Sequence, residues 1–393
     1  MKIAIIYLGR RGSGGPIALS LGRALAAPDE VSAYLSAGLE SLLGWSTVPF
    51  PVQTVITYTG LLEAAWTLAF PSRIRALAAQ VRAWQPDILL FPMFHPWNAA
   101  LQKELAPIPS IVFVHDPRPH PGLTGWLHAR FENASLKAAA HCIILSQIFQ
   151  PDLVRRGVPP EHITVVPHGV LPKASLQVEL PKASLQVELP KASLQVEQPQ
   201  SHPPRPDRQQ SGPTLLFSGR ITTYKGLDVL LAAFESLRDR RPGLRLCIAG
   251  EGSLAPYRRQ LDRLKNVEVT NRWLEDSEIP PLFSRADIVV LPYTSASQSG
   301  VLAVAAGFGL PVIATRTGGL SEQIQSGETG LLVSPGSVEE LAAAIERLLD
   351  DPALASRLGA ALQQDFEQNR SWEQTAGLIL KVCKQILTTN GHK

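Results

Sequence analysis

The sequence predicts an α/β protein built of two doubly wound halves facing each other across a cleft. Three observations carry this expectation. Short apolar runs of strand length recur along the chain, separated by segments with helical spacing, as in a parallel sheet with crossover helices. Polar, glycine-bearing loops follow several of those runs, at the strand ends where open α/β sheets bind ligands. The pattern occurs twice, on either side of a proline-rich stretch, in a chain of 393 residues, which is long enough for two domains.

The first half opens with the apolar run 3–8 and the loop 9–15, which ends in Gly14 and Gly15. Ile17, Leu19, Leu21 and Leu25 then give the segment 16–27 helical spacing,. Further strands are expected at 88–91, 110–114, 141–145 and 163–166, with helices at 73–84 and 123–139. The second half repeats the style. Strands are expected at 214–217, 244–249, 267–269, 288–291 and 311–314, and helices at 227–238, 301–308 and 338–349. Between the halves the nonapeptide 171–179 recurs identically at 180–188 and 189–197, followed by a polar, proline-rich run to 210. A proline in every unit blocks a continuous helix. The stretch reads as an exposed linker expansion, or as a short strand in each unit. The expected division is an N-terminal half 1–170, a linker 171–212 and a C-terminal half 213–365.

Composition narrows the function. Hydrophobic residues make up 45% and charged residues 18%, enough for two cores, and the formal net charge of +3 gives no basic surface suited to nucleic acid,. Cys142, Cys247 and Cys383 are widely spaced, with no CxxC pair. They read as thiols of a reducing compartment, without a disulfide framework or zinc site. The first residues read as a core strand rather than a targeting segment. No uninterrupted apolar stretch reaches the ~18–20 residues that span a bilayer. The expectation is a cytoplasmic protein, soluble or peripheral to the membrane's cytoplasmic face.

The chemistry-bearing residues cluster in the second half. Gly219 and Arg220 directly follow a strand, and Lys225-Gly226 opens the next helix. Glycine lets backbone approach a ligand, while two cations and a helix N-terminus suit a pyrophosphate. The same residues also fit an ordinary strand-to-helix turn with solvated cations. Gly250, Glu251 and Gly252 follow a second strand. Gln298, Ser299, Gly300 and Val301 lead into an alanine-rich helix whose first N–H groups are free for a ligand,. Gly318-Gly319-Leu320-Ser321-Glu322 follows a further strand. Four such loops in one half point to one site.

Taken in order, Gly219-Arg220, Lys225-Gly226, 250–252, 309–312 and Gly318-Gly319 resemble the retaining glycosyltransferases of the family 4, group 1 type, which have the GT-B fold of two Rossmann-like domains. Gly14-Gly15, the stretch 114–117 and the stretch 167–170 match the same family in order and spacing. The resemblance covers nearly all of the chain outside 171–212. It implies a nucleotide-diphosphate sugar as co-substrate, no metal or other cofactor, and a glycan or lipid-linked glycan as acceptor in polysaccharide biosynthesis. By the same resemblance, Arg220 and Lys225 neutralise the leaving diphosphate, Gly14 and Gly15 let the first domain close on the donor, and His115 lies near the transferred sugar. His115 also fits a hydrogen-bonded structural histidine at a strand end. His115, Asp116 and His120 are metal-ligand types, but two prolines in their loop argue against a metal site. The final helix of the fold is expected to return residues of about 366–390 to the first domain.

The chain departs from the family at one point. The two glutamates usual before the Gly-x-Pro element fall, counted back from Gly309, on Ala296 and Val304. Neither side chain accepts a hydrogen bond. The chain thus resembles a Gln-Ser-Gly subgroup, in which Gln298 would meet a sugar hydroxyl and the loop amides the phosphate. Two rival activities share the architecture: a sugar-nucleotide epimerase and a noncatalytic nucleotide-sugar-binding subunit. Segment 61–84, with Trp66, Trp84, Arg73, Arg75 and Arg82, reads either as a helix packed on the sheet or as an anchor at an anionic bilayer surface.

Overall fold

The computed structural model of the protein describes residues 1–12, 14–58, 60–118, 123–167, 169 and 212–390. The repeat, His120, His168 and Val170 lie outside the described residues. The strands are β1 (Lys2–Tyr7), β2 (Glu30–Ser36), β3 (Val52–Val55), β4 (Ile88–Phe91), β5 (Ser110–Val114), β6 (His141–Ile144), β7 (Ile163–Val165), β8 (Thr214–Ser218), β9 (Arg245–Ala249), β10 (Val267–Thr270), β11 (Ile288–Leu291), β12 (Val312–Thr315) and β13 (Leu331–Val333). The helices are α1 (Gly14–Ala26), α2 (Leu61–Ala69), α3 (Ser72–Ala83), α4 (Asn98–Glu104), α5 (Leu123–Ala138), α6 (Gln150–Arg155), α7 (Leu227–Leu237), α8 (Arg258–Leu261), α9 (Ile279–Ser284), α10 (Gly300–Gly307), α11 (Leu320–Gln323), α12 (Val338–Asp350), α13 (Pro352–Asn369) and α14 (Trp372–Asn390).

Two parallel sheets result. One runs in the order β3-β2-β1-β4-β5-β6-β7, the other β10-β9-β8-β11-β12-β13. Each winds outward from its first strand in both directions, so the order reverses between β1 and β4 and again between β8 and β11. Those are the points where such a sheet leaves a crevice at its carboxyl edge. The halves also begin alike. Asp87 accepts from the Lys2 amide at 2.7 Å, and Asp287 accepts from the Thr214 amide at 2.9 Å.

The central strands carry no polar face because both faces are covered. β4, β5, β11 and β12 are buried along their whole length, which is why they read as continuous apolar runs. α3 buries Ile74, Leu77, Ala78 and Val81, one stripe of helical spacing, on the first sheet,. α13 packs on α10, and α14 packs on α1. The chain therefore crosses back to the first domain at Trp372, where a side chain on Gly169 would collide with the indole and Thr375 donates to the Pro167 carbonyl at 3.1 Å.

Candidate active site

Four loops at the carboxyl ends of β9, β8, β11 and β12, adjacent strands of the second sheet, interlock through their glycines. A Cβ on Gly250 (φ 149°) would lie 1.9 Å from the Gly219 carbonyl, and one on Gly226 (φ 67°) 1.9 Å from that of Pro292. The Ile221 amide donates to the Glu251 carbonyl at 2.8 Å, and the Thr294 amide to that of Tyr224 at 2.8 Å. This clamp sets the Lys225 ammonium 3.7 Å from the centre of the Tyr293 ring. The Tyr293 hydroxyl lies 3.3 Å from Ser299 Oγ, which caps α10 by accepting from the Leu302 amide at 3.4 Å,. Gly219 faces the Val301 side chain. Arg220 is exposed, with no hydrogen-bond or ion-pair partner among the described residues, and Thr222 Oγ1 is buried and unpartnered among them. The loops thus gather a cation, a hydroxyl and the first amides of α10 at the β8/β11 crevice, with a second cation carried on the β8 loop. Such a set stabilises an anionic oxygen cluster.

The first domain meets the second on two sides of these loops. On one side His115, just after β5, holds both partners of its ring: Nε2 lies 2.9 Å from the Pro92 carbonyl, and Nδ1 2.8 Å from Gln298 Nε2. Burial pushes the His115 pKa down, against the opposing pull of the Pro92 carbonyl and Asp116,. Ser297 donates to Asp116. Glu322 accepts from the amides of Gln147 and Ile148 at 2.9 and 2.8 Å, placing a carboxylate at the start of a 3-10 turn of the other domain,. On the other side Gly12 (φ 89°) faces the Trp273 ring, and Glu40 lies near Glu275 and Asp276. Burial, joined by those two acids and opposed by Arg11, raises the Glu40 pKa. The β1/β4 and β8/β11 crevices face each other between these two contacts. His95 stands at the first, beyond β4. It is buried beside Tyr58, with its pKa pushed down to about 3 by desolvation.

The family model described as group 1 glycosyl transferases matches residues 212–351, and the glycosyl transferase 4-like domain matches residues 14–169. The chain belongs to the group 1 glycosyltransferases. Over most of its length it is similar to the glycogen synthase of Mycobacterium tuberculosis (strain ATCC 25618 / H37Rv), at 27% identity over 344 residues, covering 81% of this chain and 75% of that protein. A shorter stretch of 181 residues is 40% identical to the D-inositol 3-phosphate glycosyltransferase of Pseudarthrobacter chlorophenolicus, covering 42% of this chain and 41% of that one. Among solved structures, Anabaena Alr3699/HepE in complex with UDP and glucose superposes with a TM-score of 0.69 at 21% identity, covering 97% of this chain and 99% of that one. A putative UDP-N-acetylglucosamine 2-epimerase from Listeria monocytogenes shares the fold with a TM-score of 0.65 at 16% identity, covering 100% of this chain and 98% of that one. The two Rossmann-like domains are those of the GT-B fold. The fold alone is compatible with an epimerase, and the family match makes the chain a glycosyltransferase.

In this glycosyltransferase, Lys225, Gly219, Ser299, Gly300 and Val301 come together on one wall, with Gln298 reaching across to His115. Gly250 and Gly252 support that wall: Gly252 donates to Asn271 Oδ1 at 3.1 Å, and a Cβ there would meet the Ile221 carbonyl at 2.1 Å. The Glu251 side chain is exposed, and its backbone carbonyl makes the contact with Ile221. Gly14 and Gly15 are buried at the start of α1, where a Cβ would strike Met93 and Tyr7, or Ser41. Ala296 and Val304 are buried in the core and supply no polar group. Thr222 and Tyr293 are site-forming residues that the motifs did not single out, whereas Glu322 ends the glycine-bearing loop 318–322 read from the sequence. Among the described residues no group of three or more His, Cys, Asp or Glu side chains could hold a metal ion, and no helix is long and apolar enough to cross a membrane.

Proposed function

We propose that this glycosyltransferase moves a hexosyl group from a nucleotide-diphosphate sugar to a hydroxyl of a glycan or lipid-linked glycan, with retention of configuration. One observation carries the reading: Lys225 sits over the Tyr293 ring, whose hydroxyl reaches the Ser299 cap of α10, so a cation and the first amides of that helix share the β8/β11 crevice, with the buried, unpartnered Thr222 hydroxyl on the same loop as Lys225. The half-buried Lys225, the exposed Arg220 and the loop amides neutralise the diphosphate as the bond from the sugar's anomeric carbon to its phosphate oxygen breaks,. The acceptor hydroxyl forms the new bond on the same face, and its proton passes to the departing phosphate. No protein nucleophile takes part, so the rate comes from positioning and charge neutralisation. UDP and UDP-glucose in the Anabaena structures make uridine nucleotides the first donors to try. Neutralisation by side chains and amides replaces a divalent ion, so chelation by EDTA leaves transfer unchanged.

Arg220→Ala and Lys225→Ala test the reading. Each is expected to lower transfer by about 10²- to 10³-fold with the melting temperature unchanged. Near-normal transfer by both variants sinks the proposal. Anomeric configuration of the product, read by NMR, tests retention. Epimer formed from donor alone would favour the epimerase reading, and binding without turnover the noncatalytic one.

We place the enzyme at the cytoplasmic face of the membrane, where a lipid-linked acceptor is met. The contact we assign is apolar. Arg73, Arg75 and Arg82 are engaged by Glu63, Glu104 and backbone carbonyls, whereas Ile56, Trp66 and Phe70 are 67%, 63% and 56% exposed. Liposome flotation should therefore weaken with Trp66→Ser and Phe70→Ser and persist when the three arginines are neutralised. Unchanged flotation of the serine variants removes this surface.

A further inference from the structure

We propose that His115 is a positioning residue that fixes the Gln298 amide, leaving the Gln298 carbonyl oxygen to accept a hydroxyl of the donor sugar. The inference rests on the nucleotide-sugar reading above and gives His115 a different role from direct contact with the sugar. It starts at Pro92, whose carbonyl oxygen lies 2.9 Å from His115 Nε2. A carbonyl only accepts, so Nε2 carries a proton. Burial favours the neutral ring,, and a neutral imidazole has a single N–H, so Nδ1 presents a lone pair. Gln298 Nε2 lies 2.8 Å from that lone pair and donates to it. Both ring nitrogens are then occupied, and the amide has one orientation.

The consequence falls on the other end of the amide. Gln298 Oε1 is buried and has no hydrogen-bond partner among the described residues. A buried acceptor without a donor is unfavourable, so the site is completed by a ligand that brings one. Ionised phosphates only accept and leave this oxygen unsatisfied. A sugar hydroxyl donates. Gln298 immediately precedes Ser299, the cap of α10, so it borders the amides assigned to the diphosphate, where a sugar attached to that diphosphate would start. His115 and Gln298 belong to different domains, so the amide is oriented only when the domains are together. The hydroxyl contact is therefore assembled on closure.

Titration calorimetry with UDP, GDP and ADP, and with UDP-glucose, GDP-glucose and ADP-glucose, tests this on the wild type, Gln298→Ala, His115→Phe and the double variant. Diphosphate affinity should stay within about twofold, while affinity for the sugar nucleotide falls about tenfold in each single variant, the worth of one neutral hydrogen bond. The double variant should be no weaker than either single one, because both remove the same contact. Penalties that multiply would mean that His115 touches the sugar independently and overturn the proposal, as would an unchanged affinity for the sugar nucleotide in Gln298→Ala. Failure of the wild type to bind any diphosphate counts against the parent reading instead. A long-range proton–nitrogen correlation spectrum of the wild type provides a check independent of any variant. It should show His115 protonated on Nε2 alone, and a proton on Nδ1 overturns the proposal.

Discussion

Arg156→Met should destabilise the first domain more than any surface change. Arg156 caps the C-terminal end of α6, and its terminal nitrogen lies 2.6 Å from Glu132 Oε2 on α5, with the two side chains 10% and 4% exposed. Its Nε donates to Asn133 Oδ1 at 2.8 Å, and its other terminal nitrogen to the Pro117 carbonyl at 3.1 Å. Methionine keeps much of the stem but leaves the Glu132 carboxylate buried without its cation. Breaking one side of such a pair costs about 3–5 kcal/mol. At about 2–4 °C per kcal/mol for a domain of this size, the melting temperature falls by roughly 6–20 °C. Urea unfolding followed by circular dichroism, with a parallel thermal scan, measures both. Arg156→Met combined with Glu132→Leu should recover most of the loss, since replacing both partners of a buried pair is close to neutral. A loss below about 1 kcal/mol, or a double variant as unstable as the single one, would refute the assignment of a desolvated pair. Pro117 lies two residues beyond His115, so the surviving folded fraction should also lose affinity for the sugar nucleotide before it loses affinity for the diphosphate.

Three further outcomes are expected. Glu322→Ala removes both hydrogen bonds that join α11 to the Gln147 turn, a helix-cap contact worth about 0.5–2 kcal/mol. Small-angle scattering should then show a more open particle, and transfer should slow by about 2- to 30-fold; an unchanged scattering profile counts against a closing role. Tyr293→Leu removes the ring beneath Lys225, worth about 0.5–2 kcal/mol, and should weaken UDP binding several-fold. Tyr293→Phe keeps the ring and should bind UDP almost as the wild type does, and equal effects of the two changes would exclude the ring contact. His141 is 6% exposed and donates or accepts at Thr164 Oγ1, and burial, with His162 nearby, pushes its pKa down from 6.5 to about 4. Between those values the unfolded chain binds the proton that the folded one refuses, so stability falls as pH drops through this window. His141→Gln should flatten that slope by up to about 1.4 kcal/mol per pH unit, and an identical slope removes His141 as its source.

The central strands and their loops were legible because local chemistry dictates them. β4, β5, β11 and β12 are buried on both faces and therefore written as unbroken apolar runs, and positions such as Gly226 and Gly250 are glycines because a neighbouring carbonyl occupies the space of a Cβ. β2, β3 and β13 escaped the reading of apolar runs. β2 buries Ser32 and Ser36, made tolerable by the Pro51 carbonyl and Thr57 hydroxyl that a linear pattern does not reveal. β3 is a short, half-exposed strand at the sheet edge, and β13 has three residues. The paired arginines of α3 likewise show why charge beside tryptophan did not translate into a free cationic face: Glu63 and Glu104 come from other helices.

Residue type and spacing thus determined the two-domain α/β architecture, the family and the wall of glycines and cations at the end of the second sheet. Only the tertiary structure decided what closes on that wall. His115 and Gln298 are 183 positions apart, and Gln147 and Glu322 are 175 apart; their hydrogen bonds exist because two independently wound sheets turn their carboxyl edges toward each other. Periodicity records the burial that each element needs within its own domain, whereas the partner of a side chain across a cleft depends on how the two domains are docked.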